Sequence, residues 1–410
     1  MRTTDTLVIG AGQAGLAMSR CLAERGVDHV VLERGRVAER WRTERWDSLR
    51  LLSPNWMSRL PGWSYAGPDP HGFMTAGEVV TYLADYATAS AAPVVEDSAV
   101  LRLGLEGNGF AVTTTDQTWH AAHVVMATGW CDQPAVPALA AALDPAITQV
   151  VPSRYRNPRG LPDGGVLVVG ASATGVQLAD EVAATGRPVV LAVGRHSRMP
   201  RRYRGMDIFW WLERIGSLDR TIDEMADPAS ARREPSLQLV GRPDHADLDL
   251  ATLQAGGVEL AGRLIGVDGS AVRFARDLPS TDATGLAAEV FDPEPPRPVV
   301  AGGAPDHLDL RARGITTVIW ATGHRRSYPW LALPVLDAAG EIRQHRGATP
   351  VPGLYVLGQR FQHRRSSSFI DGVGRDAVDI ADHLTGRTPA VPDPAVPDPA
   401  VAGPAGCART

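Results

Sequence analysis

Two stretches of this chain share one pattern: a short apolar run, a glycine-rich turn, a helical repeat and a second apolar run. The first opens on Leu7–Val8–Ile9, a run suited to a strand buried on both faces of a parallel sheet. Gly10, Gly12 and Gly15 follow in G-x-G-x-x-G spacing, then a helical pattern, a stop at Gly26, the apolar run His29–Leu32 and Glu33. The second opens on Val166–Val169, passes Gly170, Ser172 and Gly175 in G-x-S-x-x-G spacing, and predicts a helix over Val176–Thr185 and a strand over Pro188–Val193. Elsewhere, Thr75 with Glu78 forms a capping box that predicts a helix in Phe73–Ala87. Short strands are expected over Val100–Val112, Trp119–Met126 and Thr317–Trp320, and a buried one between Gly353 and Gly358. Val258–Val267 and Ala271–Phe274 alternate like a hairpin. Helices are expected over Ile208–Ile215 and from Asp371 to about Leu384, and Pro293–Pro298 reads as a turn.

The first turn has the parts of a dinucleotide site. Gly10 permits the tight turn, Gly12 lets backbone approach a pyrophosphate, and Gly15 allows close helix–strand packing. The helix start presents free N–H groups to phosphate. Glu33, with Arg34 beside it, stands about 20 residues on, where a carboxylate accepts from ribose hydroxyls. The second turn, Gly170 to Gly175 with Ala173 and Thr174, repeats the device, but its following strand ends in Gly194–Arg195–His196–Ser197–Arg198. Arginine accommodates a 2′-phosphate, so the second site reads as NADPH-binding; the bland alternative is an arginine-rich surface. Two apolar strands stop at matching turns, Ala127–Thr128–Gly129 and Ala321–Thr322–Gly323, which admit close approach of backbone or ligand. Trp41, Trp46, Trp56 and Trp63 crowd a long aperiodic segment, either as cover for a flat cofactor or as a clamp between domains.

Composition narrows the chemistry further. The 410 residues suit two to three domains. A net charge of −5 argues against nucleic acid as partner. All 41 basic residues are arginine, so lysine Schiff-base and P-loop chemistry are excluded. Cys21, Cys131 and Cys407 are scattered without a C-x-x-C, which argues against a disulfide redox pair or a metal site. No apolar run reaches the ~18 residues of a membrane span, and the chain reads as soluble and cytoplasmic.

In their order along the chain, these motifs resemble the flavin-containing monooxygenase group, the single-component FAD- and NADPH-dependent oxygenases, on its bacterial branch. The resemblance implies an α/β fold of two Rossmann-like domains, the NADPH domain inserted within the FAD domain. Boundaries are expected at 1–152, 153–313 and 314–387, with a Pro/Ala/Asp tail over 388–410 expected to be disordered. Gly10, Gly12, Gly15 and Glu33 would hold FAD, with Trp41, Arg42 and Trp46 of a W-R-x-x-x-W stretch near the flavin. Gly170, Ser172, Gly175 and Arg195 would hold NADPH. Asp371, Gly372 and Val373, through Gly374, would sit by the flavin ring. The activity implied is transfer of one oxygen from a C4a-(hydro)peroxyflavin to a small organic substrate, as N-, S- or Baeyer–Villiger oxygenation. The alternative is an NADPH-dependent flavin reductase that does not oxygenate. Arg360 and Arg364, with Arg59, Arg365 and Asn55, are candidate catalytic groups. The partners expected are a small substrate and O2, without nucleic acid or membrane, and a homodimer stays open. One departure stands out: the group carries a histidine four residues ahead of an aromatic before the second glycine motif, and here Val151 precedes Tyr155.

Overall fold

The computed structural model describes residues 2–278 and 298–387. The tail and all but the last residue of Pro293–Pro298 lie outside the described residues.

The first sheet is built from β1 (Arg2–Ile9), β2 (His29–Leu32), β3 (Val94–Val95), β4 (Val100–Glu106), β5 (Gly109–Thr114) and β6 (Thr118–Met126). Their spatial order is β3-β2-β1-β6-β5-β4. The β3-β2-β1-β6 half is parallel, whereas β6, β5 and β4 form an antiparallel meander. Leu7 and Val8 are fully buried, as the two-faced apolar run requires. The helix Gln13–Glu24 packs on this sheet against the last helix, Ile370–Leu384. The capping box at Thr75 is present, with Glu78 N–H bonded to Thr75 Oγ1 at 3.2 Å and Thr75 N–H to the Glu78 carboxylate at 2.7 Å.

The second sheet contains β7 (Thr148–Val150), β8 (Gly165–Val169), β9 (Val189–Ala192) and β10 (Glu259–Ala261). A three-stranded antiparallel sheet follows, of β11 (Leu264–Asp268), β12 (Ala271–Phe274) and β13 (His307–Asp309). The chain then returns to the second sheet as β14 (Ile315–Trp320) and to the first as β15 (Leu354–Val356), beside β6. The order of the second sheet is β7-β14-β8-β9-β10, all parallel. The molecule thus holds two Rossmann-like dinucleotide-binding units, the second inserted in the first.

Two expectations need correcting. Sheet pairing puts β7 and β14 in the second unit, so its strands extend beyond the expected 153–313 at both ends. The run Val258–Val267 is not one hairpin arm: Glu259–Ala261 joins the parallel sheet, and only Leu264–Asp268 pairs antiparallel with Ala271–Phe274. The turn between them contains Gly262, where a Cβ would lie 1.9 Å from the Ala275 carbonyl oxygen. Alternation alone does not reveal that break.

Candidate active site: two clefts with a common wall

Both glycine turns are shaped by contact as much as by ligand. Gly10 has φ +107°, and a Cβ there would lie 2.7 Å from the Ala127 carbonyl oxygen. A Cβ on Gly15 would fall 1.8 Å from the Gly10 carbonyl oxygen. The second turn repeats this: a Cβ on Gly170 would meet Ala321 O at 2.4 Å, and one on Gly175 would meet Gly170 O at 1.7 Å. Each Ala-Thr-Gly turn therefore closes on the glycine turn of its own unit. Gly12, by contrast, has nothing within 4 Å of a Cβ position, so its backbone faces open space, as pyrophosphate approach requires.

The first cleft has a volume of about 700 Å³. Gly10, Gly12, Glu33, Arg34, Trp41, Thr128, Gly129 and Arg360 all line it. The Glu33 carboxylate is buried and accepts from Ala11 N–H at 2.7 Å and Gly35 N–H at 3.1 Å, which fixes its orientation at the end of β2. The second cleft, about 800 Å³, is lined by Gly170, Ser172, Ala173, Thr174, Arg195, Thr322 and Gly323. Arg195 is exposed at its edge, with Arg232, Arg233 and Arg263 also in its wall. Leu52, Trp130, Cys131, Pro235, Ser236, Arg326 and Arg360 line both clefts.

Several expected residues lie elsewhere. Trp46 is buried in the core of the second unit with Tyr155 and Leu161, so it clamps the units together. Arg42 turns back to donate to Val37 O at 3.0 Å. Arg198 is bound to Asp249 at 2.7 Å and does not line the second cleft. Thr322 and Gly323 belong to the second cleft because β14 belongs to the second sheet. Gly15 and Gly175 serve packing and are absent from both linings.

The catalytic candidates separate in the same way. Asn55 donates to Asp69 O at 2.9 Å and accepts from Met74 N–H at 2.7 Å, which makes it a loop staple. Arg364 is held by Asp376 at 2.6 Å and Asp379 at 2.7 Å. Arg59 bridges Asp371 and Glu213 and is likewise outside the clefts. Asp371, Gly372 and Val373 miss the lining, since Asp371 faces Arg59 and Val373 is core; Ser368 and Phe369, just ahead of the last helix, line the first cleft instead. Val151 packs against the core of the second unit, and Tyr155 donates its O–H to Glu181 at 3.2 Å.

Sequence reasoning missed Arg40, Arg45, Trp130, Cys131 and Arg326, all of which line the first cleft. Arg40 and Arg45 lie in the Arg/Trp-rich stretch that follows Glu33, where the short helix Glu39–Thr43 decides which arginine faces inward; Trp130 and Cys131 follow the first Ala-Thr-Gly turn and Arg326 follows the second. Arg40 donates to the Cys131 carbonyl and pairs with Asp132 at 2.6 Å. Burial lowers the Arg45 and Arg360 pKa values and raises the Cys131 thiol, so this thiol is not poised as a thiolate. Cys21 is pushed up to about 12, also by burial.

A pyridine nucleotide-disulphide oxidoreductase family model matches residues 7–213, half of the chain. This chain belongs to that family. An uncharacterized CzcO-like oxidoreductase of Geobacillus kaustophilus is 34% identical over 394 residues, covering 92% of this chain and 99% of its own. Indole-3-pyruvate monooxygenase YUCCA1 of Oryza sativa subsp. japonica is 26% identical over 92% of this chain and 90% of its own. The solved flavin-containing monooxygenase from Stenotrophomonas maltophilia superposes with a TM-score of 0.68 at 21% identity, over 94% of this chain and 99% of that one, which shows the same fold. The family's description names a pyridine nucleotide, and the two glycine cradles fit two dinucleotides. Among the described residues, no helix is long and apolar enough to cross a membrane.

Proposed function

We propose that the first cleft holds FAD, the second holds NADPH, and the enzyme inserts one oxygen atom of O2 into a small organic substrate while the other leaves as water, reduced by the two electrons of NADPH. The observation that carries this reading is the common wall: Trp130, Cys131, Pro235, Ser236 and Arg360 border both clefts, so groups bound in each approach one another there. When bound, FAD accepts hydride from NADPH and activates O2; the protein binds, orients and excludes water. Gly12 and the following helix start receive the FAD pyrophosphate, and Glu33 receives its ribose. Gly170 to Thr174 do the same for NADPH, and Arg195 takes its 2′-phosphate. The first cleft continues past this cradle into an apolar lobe, which supplies a water-poor place for substrate.

Disulfide reduction, the chemistry in the family's description, fits this chain poorly. Cys21 and Cys131 lie apart from any second cysteine among the described residues, and burial keeps both thiols protonated. The rival that remains is a flavin reductase that returns its electrons to O2 as hydrogen peroxide. Stopped-flow reduction of the holoenzyme by NADPH, followed by oxygen exposure with candidate substrates, separates the two. One oxygenated product per NADPH is expected; stoichiometric peroxide with every substrate would sink the oxygenase reading.

A further inference from the structure

We infer that Arg360 seats a carboxylate of the substrate, whose apolar body lies in the lobe beside it; this rests on the oxygenase reading above. The lobe is formed where the first cleft runs under the inserted unit. Phe209, Leu212, Leu218, Leu237, Leu239 and Phe369 line it. Five of these six come from the segment between β9 and β10, and Phe369 comes from the start of the last helix. Such a surface selects a hydrocarbon or aromatic body.

Arg360 lines the same cleft as this lobe, on the wall that the two clefts share, and reaches the lobe's side through its bond to the carbonyl of Pro235, two residues before Leu237. Its neighbour Phe361 lines the first cleft too. A guanidinium has five N–H donors. Among the described residues, the Arg360 side chain makes one hydrogen bond, to Pro235 O at 3.2 Å, and lies 5.7 Å from the centre of the Trp130 ring. No carboxylate pairs with it among those residues. Glu234, the acid whose charge acts on it, is bound to Arg365 at 3.0 Å. Other arginines of the first cleft are paired: Arg34 with Glu44, Arg40 with Asp132 and Arg326 with Glu341. Arg45 lacks a carboxylate as well, but it donates to Glu44 O at 3.0 Å, lies over Trp41 and borders the first cleft alone.

A half-buried cation without a paired anion still carries a desolvation cost, and it lowers the Arg360 pKa. A carboxylate meeting the guanidinium in two parallel bonds offsets that cost and fixes orientation. NADPH is the other source of anionic oxygen near this wall. Its phosphates, however, have their own cradle at Gly170 to Thr174, and Arg195, Arg232, Arg233 and Arg263 surround the second cleft. The guanidinium at the lobe is therefore left for the substrate.

The test is calorimetric titration of the FAD- and NADP+-loaded enzyme with 4-phenylbutyrate and with its neutral amide. The acid is expected to bind more tightly than the amide. Arg360→Met should weaken the acid about 10- to 100-fold, the range for a lost bond to a charged group, and bring acid and amide level. Arg360→Lys, which keeps the charge without the fork, should retain part of the preference. Equal binding of acid and amide by the native enzyme, or no binding of the acid at millimolar concentration, overturns the inference before any variant is made. A preference that survives Arg360→Met also overturns it. So does a loss of NADP+ affinity in that variant with the preference intact, which assigns the guanidinium to the nucleotide. Product analysis keeps the two proposals apart. Oxygenation of neutral substrates only would remove the anchor and leave the oxygenase standing. Arg360-dependent binding of acids with peroxide as sole product would do the reverse.

Discussion

Arg195 and Arg198 are three residues apart at the end of β9, yet their environments make them do different work. Arg195 is exposed at the rim of the second cleft, and Arg198 is tied to Asp249, the residue that caps the helix Leu250–Ala255. Replacing Arg195 by Gln should cut the preference for NADPH over NADH by about 10- to 100-fold, read as the ratio of kcat/KM values. Arg198→Gln should instead show in the pH dependence of stability. Burial alone would raise the Asp249 pKa, but the Arg198 guanidinium and the Thr252 N–H outweigh it and hold the carboxyl below its ordinary value. A depressed folded-state pKa contributes stability above the unfolded value of about 3.9, and that contribution is lost as pH falls through the folded value. Without Arg198 the folded value rises toward or above the unfolded one, so the urea midpoint should be lower at pH 7 and should lose less on acidification to about pH 3 than in the native enzyme. At Gly175 no side chain fits: a Cβ would lie 1.7 Å from Gly170 O, and Gly175→Ala should raise KM for NADPH at least about tenfold by displacing the turn that receives it.

Elements show where local pattern suffices and where it does not. The capping box at Thr75, the helix Ile208–Arg214 and the strands β1, β2, β8 and β9 were all readable, because each carries its own periodicity and stop signal. The break at Gly262 was not, because it arises from the crowding of Ala275 against that backbone, a contact across 13 residues. The helix Ile208–Arg214 depends on a long-range lock as well. Arg201, almost fully buried, bonds both carboxylate oxygens of Asp207 at 2.6 Å and donates to Leu52 O at 2.6 Å. Asp207 also caps the helix by accepting from Phe209 N–H at 2.9 Å. Asp207→Ala removes the cap and strands a buried cation, so it should cost about 3–5 kcal/mol, measured by urea unfolding of the holoenzyme. Because Phe209 and Leu212 line the substrate lobe, the same variant is expected to lose substrate affinity before it loses flavin.

For the whole molecule, the consequence of the insertion is that two nucleotide clefts meet at one wall. NADP+ added to the oxidised holoenzyme should therefore perturb the flavin absorption spectrum, and Ser236→Trp, placed in that wall, should diminish the change at saturating NADP+. An unaltered spectrum with NADP+ bound would show the two cofactors to be electronically separate. What the sequence determined by itself is the pair of cradles, since glycine spacing, an acid after one strand and arginines after the other are local chemistry with local steric causes. Tertiary structure alone decided which neighbours of those motifs face a ligand. Trp46, Asn55, Arg364 and Asp371 carry the right chemistry at the right place in the chain, but packing, hydrogen bonds or ion pairs engage each of them. Arg360 differs in that no carboxylate pairs with it among the described residues, the nearby Glu234 being bound to Arg365. The absence of a partner is a property of surrounding space, which the order of residues along a chain does not contain.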